Sequence, residues 1–134
     1  MEVLSSRYIV RCADLERSAA FWTERVGLRL QREYGAGGRR TGVVLFCGGG
    51  SLELTGGGAP VADGSAPEGG AVLWLQVPDV DAEAGRLAAG GLEVRGPTTE
   101  PWGLREAWFD GPDGVAVVLV EVPEGHPLRS RVDP

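Results

Sequence analysis

The spacing of apolar residues changes period several times along this chain. RYIVRCA (7–13) is a short run rich in strand formers and predicts a strand. The period then lengthens. Leu15, Ala19, Trp22 and Val26 recur at helical spacing in DLERSAAFWTERVG, with Asp14 as N-cap and Gly27 as stop. A strand follows around LRLQREY (28–34), then a turn through GAGGRR, then a hairpin of TGVVLF and SLELT joined by CGGG. Residues 56–70, GGGAPVADGSAPEGG, are dense in Gly and Pro and predict a linker.

After the linker the pattern starts again. AVLWLQVP (71–78) predicts a strand, and Asp79 caps DVDAEAGRLAAGG with Val80, Ala84 and Leu87 on one face. LEVRGP follows as a strand, and then PWGLREAWF and VAVVLVEVP form a hairpin around DGPDG. Asp14 and Asp79 lie 65 residues apart, and the same shift lays SLELT (51–55) over AVVLV (116–120). Two copies of a βαβββ unit, each too small to bury its helix alone, therefore predict one α+β domain over residues 1–134. The first copy covers about 5–55, the linker 56–70, the second copy about 71–122, and a tail 123–134.

Composition and charge remove several classes of function. The 134 residues suit one hydrophobic core, and no apolar run approaches the ~20 residues of a membrane span. No basic stretch with an apolar segment opens the chain, so the expected location is cytoplasmic, with no membrane partner. Thirteen basic residues, all arginine, stand against nineteen acidic ones for a net charge of −6. That balance argues against nucleic acid and is compatible with cationic small molecules. The absence of lysine beside 22 Gly suggests a GC-rich bacterial genome. Cys12 and Cys47 form no disulfide framework and are expected to be free thiols.

Three stretches carry a resemblance to a known family: RCADLERSAAFWTERVGL (11–28), VPDVDAEAGRLAAGGLEV (77–94) and PWGLREAWFDGPDGVAVVLVE (101–121). A strand running into a capped helix that ends near Phe-Trp and Gly-Leu, paired at constant offset with a late Asp-Gly-Pro-Asp-Gly hairpin, resembles the vicinal oxygen chelate superfamily. Its members include glyoxalase I, extradiol dioxygenases, and the fosfomycin- and bleomycin-resistance proteins. The resemblance implies that each unit curls its sheet around a cavity, with the helix on the convex side.

Alternation then assigns the faces. Tyr8, Val10 and Cys12 are expected under the helix, with Arg7, Ile9 and Arg11 toward the cavity. Leu52 and Leu54 face outward, and Ser51, Glu53 and Thr55 inward. Leu73, Leu75 and Val77 meet the second helix, leaving Val72, Trp74 and Gln76 inside. Val117 and Leu119 point outward, and Ala116, Val118 and Val120 inward. Pairing across DGPDG is expected to set Trp108 opposite Ala116 and Glu106 opposite Val118.

The resemblance also implies where a divalent metal would be held: His or Gln on the first strand, Glu on the fourth, His or Glu on the fifth and Glu on the eighth. Those positions are Arg7, Glu53, Val72 and Val118 here, and only Glu53 can ligate. The single histidine, His126, falls in the tail. No metal and no cofactor is therefore expected. A Ser–His–Asp set cannot be drawn, and neither cysteine has a histidine nearby in the pattern. CGGG and GGGAP precede no helix and are turn and linker.

A cavity without metal suggests a binding protein, as in the bleomycin-resistance branch, whose members the resemblance describes as metal-free dimers that sequester a drug. Trp74 and Trp108 either pack as core or stack on a planar ligand, and Trp102 would sit on a loop at the mouth. Glu53 is expected to pair with Arg7 if that side chain faces it, or, with Glu106, to receive cationic groups of a ligand, and Arg7 and Arg11 could hold its oxygens. With Ile9, Val72, Gln76 and Val118 these make the expected ligand-binding set, for a small aromatic or cationic natural product bound by a homodimer. No catalytic residue is assigned. The alternatives are a metal-independent isomerase, cyclase or glyoxalase-like enzyme with Glu53 as base, and a ligand-sensing regulatory protein.

Overall fold

A computed structural model of the chain describes residues 1–62 and 70–129. Strand β1 (Arg7–Arg11) leads into helix α1 (Leu15–Ala20), followed by strands β2 (Leu30–Ala36), β3 (Arg39–Cys47) and β4 (Gly50–Thr55). The order recurs as β5 (Val72–Gln76), α2 (Val80–Ala89), β6 (Arg95–Thr99), β7 (Arg105–Asp110) and β8 (Ala116–Glu121). Each set forms its own four-stranded mixed sheet, ordered β1-β4-β3-β2 and β5-β8-β7-β6. The fold is α+β, built as two tandem βαβββ units. One compact unit comprises β1–β4 and α1 together with the turn Gly111–Gly114, and the other comprises β5–β8 and α2.

The repeat holds at the level of register. β1 runs parallel to β4 with Arg7 opposite Ser51, and β5 runs parallel to β8 with Val72 opposite Ala116, the same pairs moved by 65. The caps repeat too: Asp14 accepts from the Arg17 N–H at 3.1 Å and Asp79 from the Ala82 N–H at 3.0 Å. In the first unit Val10, Cys12, Val43, Leu45, Leu52 and Leu54 are buried on the same side as Ala19 and Trp22. In the second, Ala107, Phe109, Val117 and Leu119 are buried with Val80, Ala84 and Leu87 of α2.

Four expectations change in detail. The first helix is not uniform: after Ala20 it widens into a π-helical turn, Phe21–Val26, which buries Trp22 and closes on Gly27 at φ +93°. Tyr8 shares the helix-side parity of Val10 and Cys12 but remains exposed, because it lies toward the start of a short edge strand. The β6 strand begins at Arg95, later than LEVRGP suggests, and its pairing with β7 is irregular between Arg95 and Thr98. The last hairpin pairs two residues away from the expected register. Trp108 faces Val118, Glu106 faces Val120 and Asp110 faces Ala116.

That last shift arises because DGPDG is a longer turn than expected. Asp113, at φ +63°, belongs with the first unit, where its carboxylate accepts from the Ala13 N–H at 3.0 Å and the Ser18 hydroxyl at 2.6 Å. A shift of two preserves which face each side chain takes, since alternation has period two. The expected linker falls partly on 63–69, which lie outside the described residues. Its described parts, 56–62 and 70, contain no helix or strand.

Candidate functional site

The first unit's sheet carries its polar chemistry on the side away from α1. Register places Arg7 with Ser51, Ile9 with Glu53, and Arg11 with Thr55, and β3 adds Phe46, Val44 and Gly42 to the same face. Glu53 is buried (8% exposed) at the centre. The Arg7 guanidinium meets its Oε2 at 3.4 Å, and the Tyr34 hydroxyl donates to its Oε1 at 2.8 Å. Hydrogen bonding to this carboxylate pushes the Tyr34 phenol above its ordinary range.

Tyr34 was not among the residues singled out from the sequence. It reaches Glu53 by crossing β3 at Gly42, where a Cβ would collide with the phenol ring. A glycine inside the strand-forming run TGVVLF is the signal for such an approach. Arg32 stands over the Tyr34 ring at 5.5 Å and Arg29 over Phe46 at 5.4 Å. Ile9 is 56% exposed, and Arg11 is exposed with no side-chain hydrogen bond among the described residues.

The second unit's equivalent face is aromatic. Trp74, Val118 and Trp108 sit on three adjacent strands in direct register, so the two tryptophan backbones are about 10 Å apart across the valine. Val118 is buried in a cluster with Leu104, Val120 and Val122, against which Trp108 packs. Trp74 is 45% exposed and Val72 is exposed beside it. Gln76, Val120 and Glu106 form the next row.

The loop between β6 and β7 turns at Gly103, φ +90°, closed by the Gly103 N–H on the Glu100 carbonyl at 2.9 Å. It carries Trp102, which is 60% exposed and donates its indole N–H to Glu106 Oε1 at 3.3 Å. On the opposite side of this sheet Arg105 holds Asp81 of α2 through two bonds of 2.7 Å.

The expected set therefore divides by unit: Arg7, Ile9, Arg11 and Glu53 share one face, and Val72, Trp74, Gln76, Trp102, Glu106, Trp108 and Val118 gather on another. The positions implied for a divalent metal do not fit one. Arg7 is a cation already paired with Glu53, and Val72 and Val118 offer no donor atom. Among the described residues no three His, Cys, Asp or Glu side chains come together.

Nucleophilic chemistry finds no support in the thiols: burial pushes Cys12 up to about 12 and also raises Cys47. His126 is half-buried in the tail and accepts from the Leu128 N–H at 3.1 Å. An open groove of about 380 Å³ along the β2–β3 hairpin is lined by Glu33 to Arg40, and it includes Tyr34 but none of the expected ligand-binding residues. Among the described residues, no helix is long and apolar enough to cross a membrane.

Known proteins resemble this arrangement throughout. TnmS3, an antibiotic binding protein from Streptomyces sp. CB03234, is 28% identical with a TM-score of 0.68, the match covering 91% of this chain and 98% of that one. TioX from Micromonospora sp. ML1 is 23% identical with a TM-score of 0.70, over 87% of this chain and 97% of that one. A glyoxalase/bleomycin resistance protein/dioxygenase from Nocardioides is 23% identical with a TM-score of 0.69, over 98% and 91%. At that identity the last two speak to the fold. No curated protein matches the chain. The family model for the glyoxalase/bleomycin resistance protein/dioxygenase superfamily matches residues 5–119, and the chain belongs to that superfamily.

Proposed function

We propose that this protein binds a small planar natural product, an antibiotic or a compound like one, and protects by sequestering it unchanged. The row Trp74–Val118–Trp108 carries the proposal. Two indoles flank an apolar floor, and among the described residues no metal-ligand set stands on that face. Each stacking contact with an aromatic ligand contributes about 0.5–1.5 kcal/mol beyond the area it buries. Similarity to TnmS3, an antibiotic binding protein, supports the same class of ligand.

The protein so proposed works in the cytoplasm as a homodimer. Apolar side chains left exposed on the sheet faces, Ile9, Phe46, Val72 and Trp74, are surface that a ligand or a second copy would cover. An enzyme using Glu53 as base is less well supported, because Tyr34 and Arg7 already engage its two oxygens. A regulatory ligand sensor shares the binding chemistry but needs a partner surface that no observation supplies.

The test is a fluorescence titration with an anthraquinone-type antibiotic, followed by recovery of the compound. Saturable quenching at one stoichiometry, lost in Trp74→Ala and in Trp108→Ala, with the compound recovered intact, is the expected result. A chemically altered product would replace sequestration by catalysis, and undisturbed fluorescence in both variants would move the site elsewhere. Light scattering on the purified chain tests the dimer.

A further inference from the structure

Each unit buries one carboxylate on its helix-free face, and the two are equally buried: Glu53 and Glu106 are both 8% exposed. Their surroundings differ. Glu53 has a cation and a hydroxyl, Arg7 and Tyr34. Glu106 has a single hydrogen bond among the described residues, from the neutral Trp102 indole at 3.3 Å. Its neighbours across the strands are Val120 on β8 and Thr98 on β6, neither of them charged. The arginines of the adjoining strands are committed elsewhere, Arg105 to Asp81 on the opposite face and Arg95 to Asp110 at 3.4 Å. A buried carboxylate is ordinarily compensated by a cation or by several donors, and among the described residues this one has neither.

We propose that the ligand supplies the missing charge: Glu106 is the acceptor for a protonated amine carried by a planar aromatic molecule. The proposal rests on the binding role proposed above and names the ligand's chemistry. An ammonium N–H fits a carboxylate flanked by aromatic rings, because indole faces attract the same cation that the oxygens do. Trp102 touches the carboxylate, and Trp108 lies on the same strand face two residues along. A divalent metal does not fit, since no second anionic or imidazole donor accompanies Glu106 among the described residues. Glu53 is not an equivalent site, because Arg7 already occupies it.

Calorimetric titration of the full chain at low salt tests this with two probes on the same ring: 9-(aminomethyl)anthracene, which carries an ammonium at neutral pH, and anthracene-9-carboxylate, an anion. The cation is expected to bind at least about tenfold more tightly to the wild-type protein. In Glu106→Gln the cation weakens by about tenfold while the anion binds no more weakly, and near-ultraviolet circular dichroism checks that this isosteric variant keeps its fold. Equal binding of both probes to the wild type overturns the amine assignment and leaves the planar-ligand reading standing. A cation preference that survives Glu106→Gln likewise overturns the role of Glu106. Binding of neither probe overturns both proposals.

Discussion

The two units share strand order, parallel register and helix caps, yet their helix-free faces are chemical opposites. Matched through their pairing with β4 and β8, Ile9 corresponds to Trp74, Glu53 to Val118, Val44 to Trp108 and Gly42 to Glu106. Where the first unit has a carboxylate tied to an arginine and a tyrosine, the second has a valine between two indoles. Where the first has a glycine that admits a tyrosine ring, the second has a carboxylate with only an indole. Backbone pairing is satisfied in the same way whatever side chain projects from it. A duplicated scaffold can therefore hold an internally compensated ionic face and an aromatic face at once.

Truncation at the matched pair Trp108 and Val44 breaks this comparison most strongly. Trp108→Ala is expected to destabilise by about 2–3 kcal/mol, below the full cost of a completely buried Trp because the side chain is half exposed, and also to abolish ligand quenching. Val44→Ala costs about 1–2 kcal/mol and leaves the aromatic face intact. Urea denaturation of the two variants, set beside their fluorescence titrations, separates core loss from site loss.

Gly42→Ala comes next, at about 1–3 kcal/mol, since the added methyl group forces the Tyr34 ring off β3 and breaks its bond to Glu53. Tyr34→Phe should cost less, about 1 kcal/mol, because it removes the bond without the collision. If the glycine variant is as stable as the wild type, the tyrosine crossing is not a constraint.

The two buried carboxylates then differ in sign. Glu53→Gln loses the attraction of Arg7 and a charge-assisted bond, with an expected cost of about 1–2 kcal/mol, discounted because Arg7 is itself substantially exposed. Glu106→Gln is expected to be neutral or to stabilise by up to about 1 kcal/mol, since it removes a buried carboxylate with no counter-ion among the described residues. Equal losses at both sites would remove the distinction between a compensated and an uncompensated carboxylate.

The smallest effect is the titration of Tyr34. Folding raises its phenol above the ordinary 10.0, so the neutral form is favoured by the native state. Its stabilising contribution is complete below the unfolded pKa and is lost as pH climbs through the folded one. Ultraviolet absorbance should show one of the two tyrosines ionising late, and Glu53→Gln should bring it down.

Much of this architecture was readable from residues alone. Asp14 and Asp79 mark both helix starts because an N-cap is a local interaction, complete within three residues. Gly27, Gly37 and Gly38 mark ends and turns because positive φ is a property of single residues. The faces of Arg7, Ile9, Arg11, Glu53, Val72, Trp74, Gln76 and Val118 followed from period-two alternation, and those of Trp108 and Glu106 survived a register shift of two. Harder to read were features depending on distant partners. Asp113 lengthens its turn by bonding to Ala13 and Ser18, about a hundred residues earlier. Tyr34 reaches Glu53 across an intervening strand, so its linear neighbourhood, with Arg32 and Glu33 before it and Gly35 after, gives no hint of it.

By itself, the sequence determined the duplication, the α+β class, the superfamily and the misfit of Arg7, Val72 and Val118 to its metal positions, because these depend on local periodicity and on which side chains are present at all. Only the tertiary structure decided which of two glutamates is already paired, that Arg7 reaches one of them, that Val118 is floor beneath Trp108, and that Glu106 is buried with no cation among the described residues. Charge compensation depends on atoms meeting across strands, and a linear pattern fixes which face a side chain takes but not which atoms will meet it there.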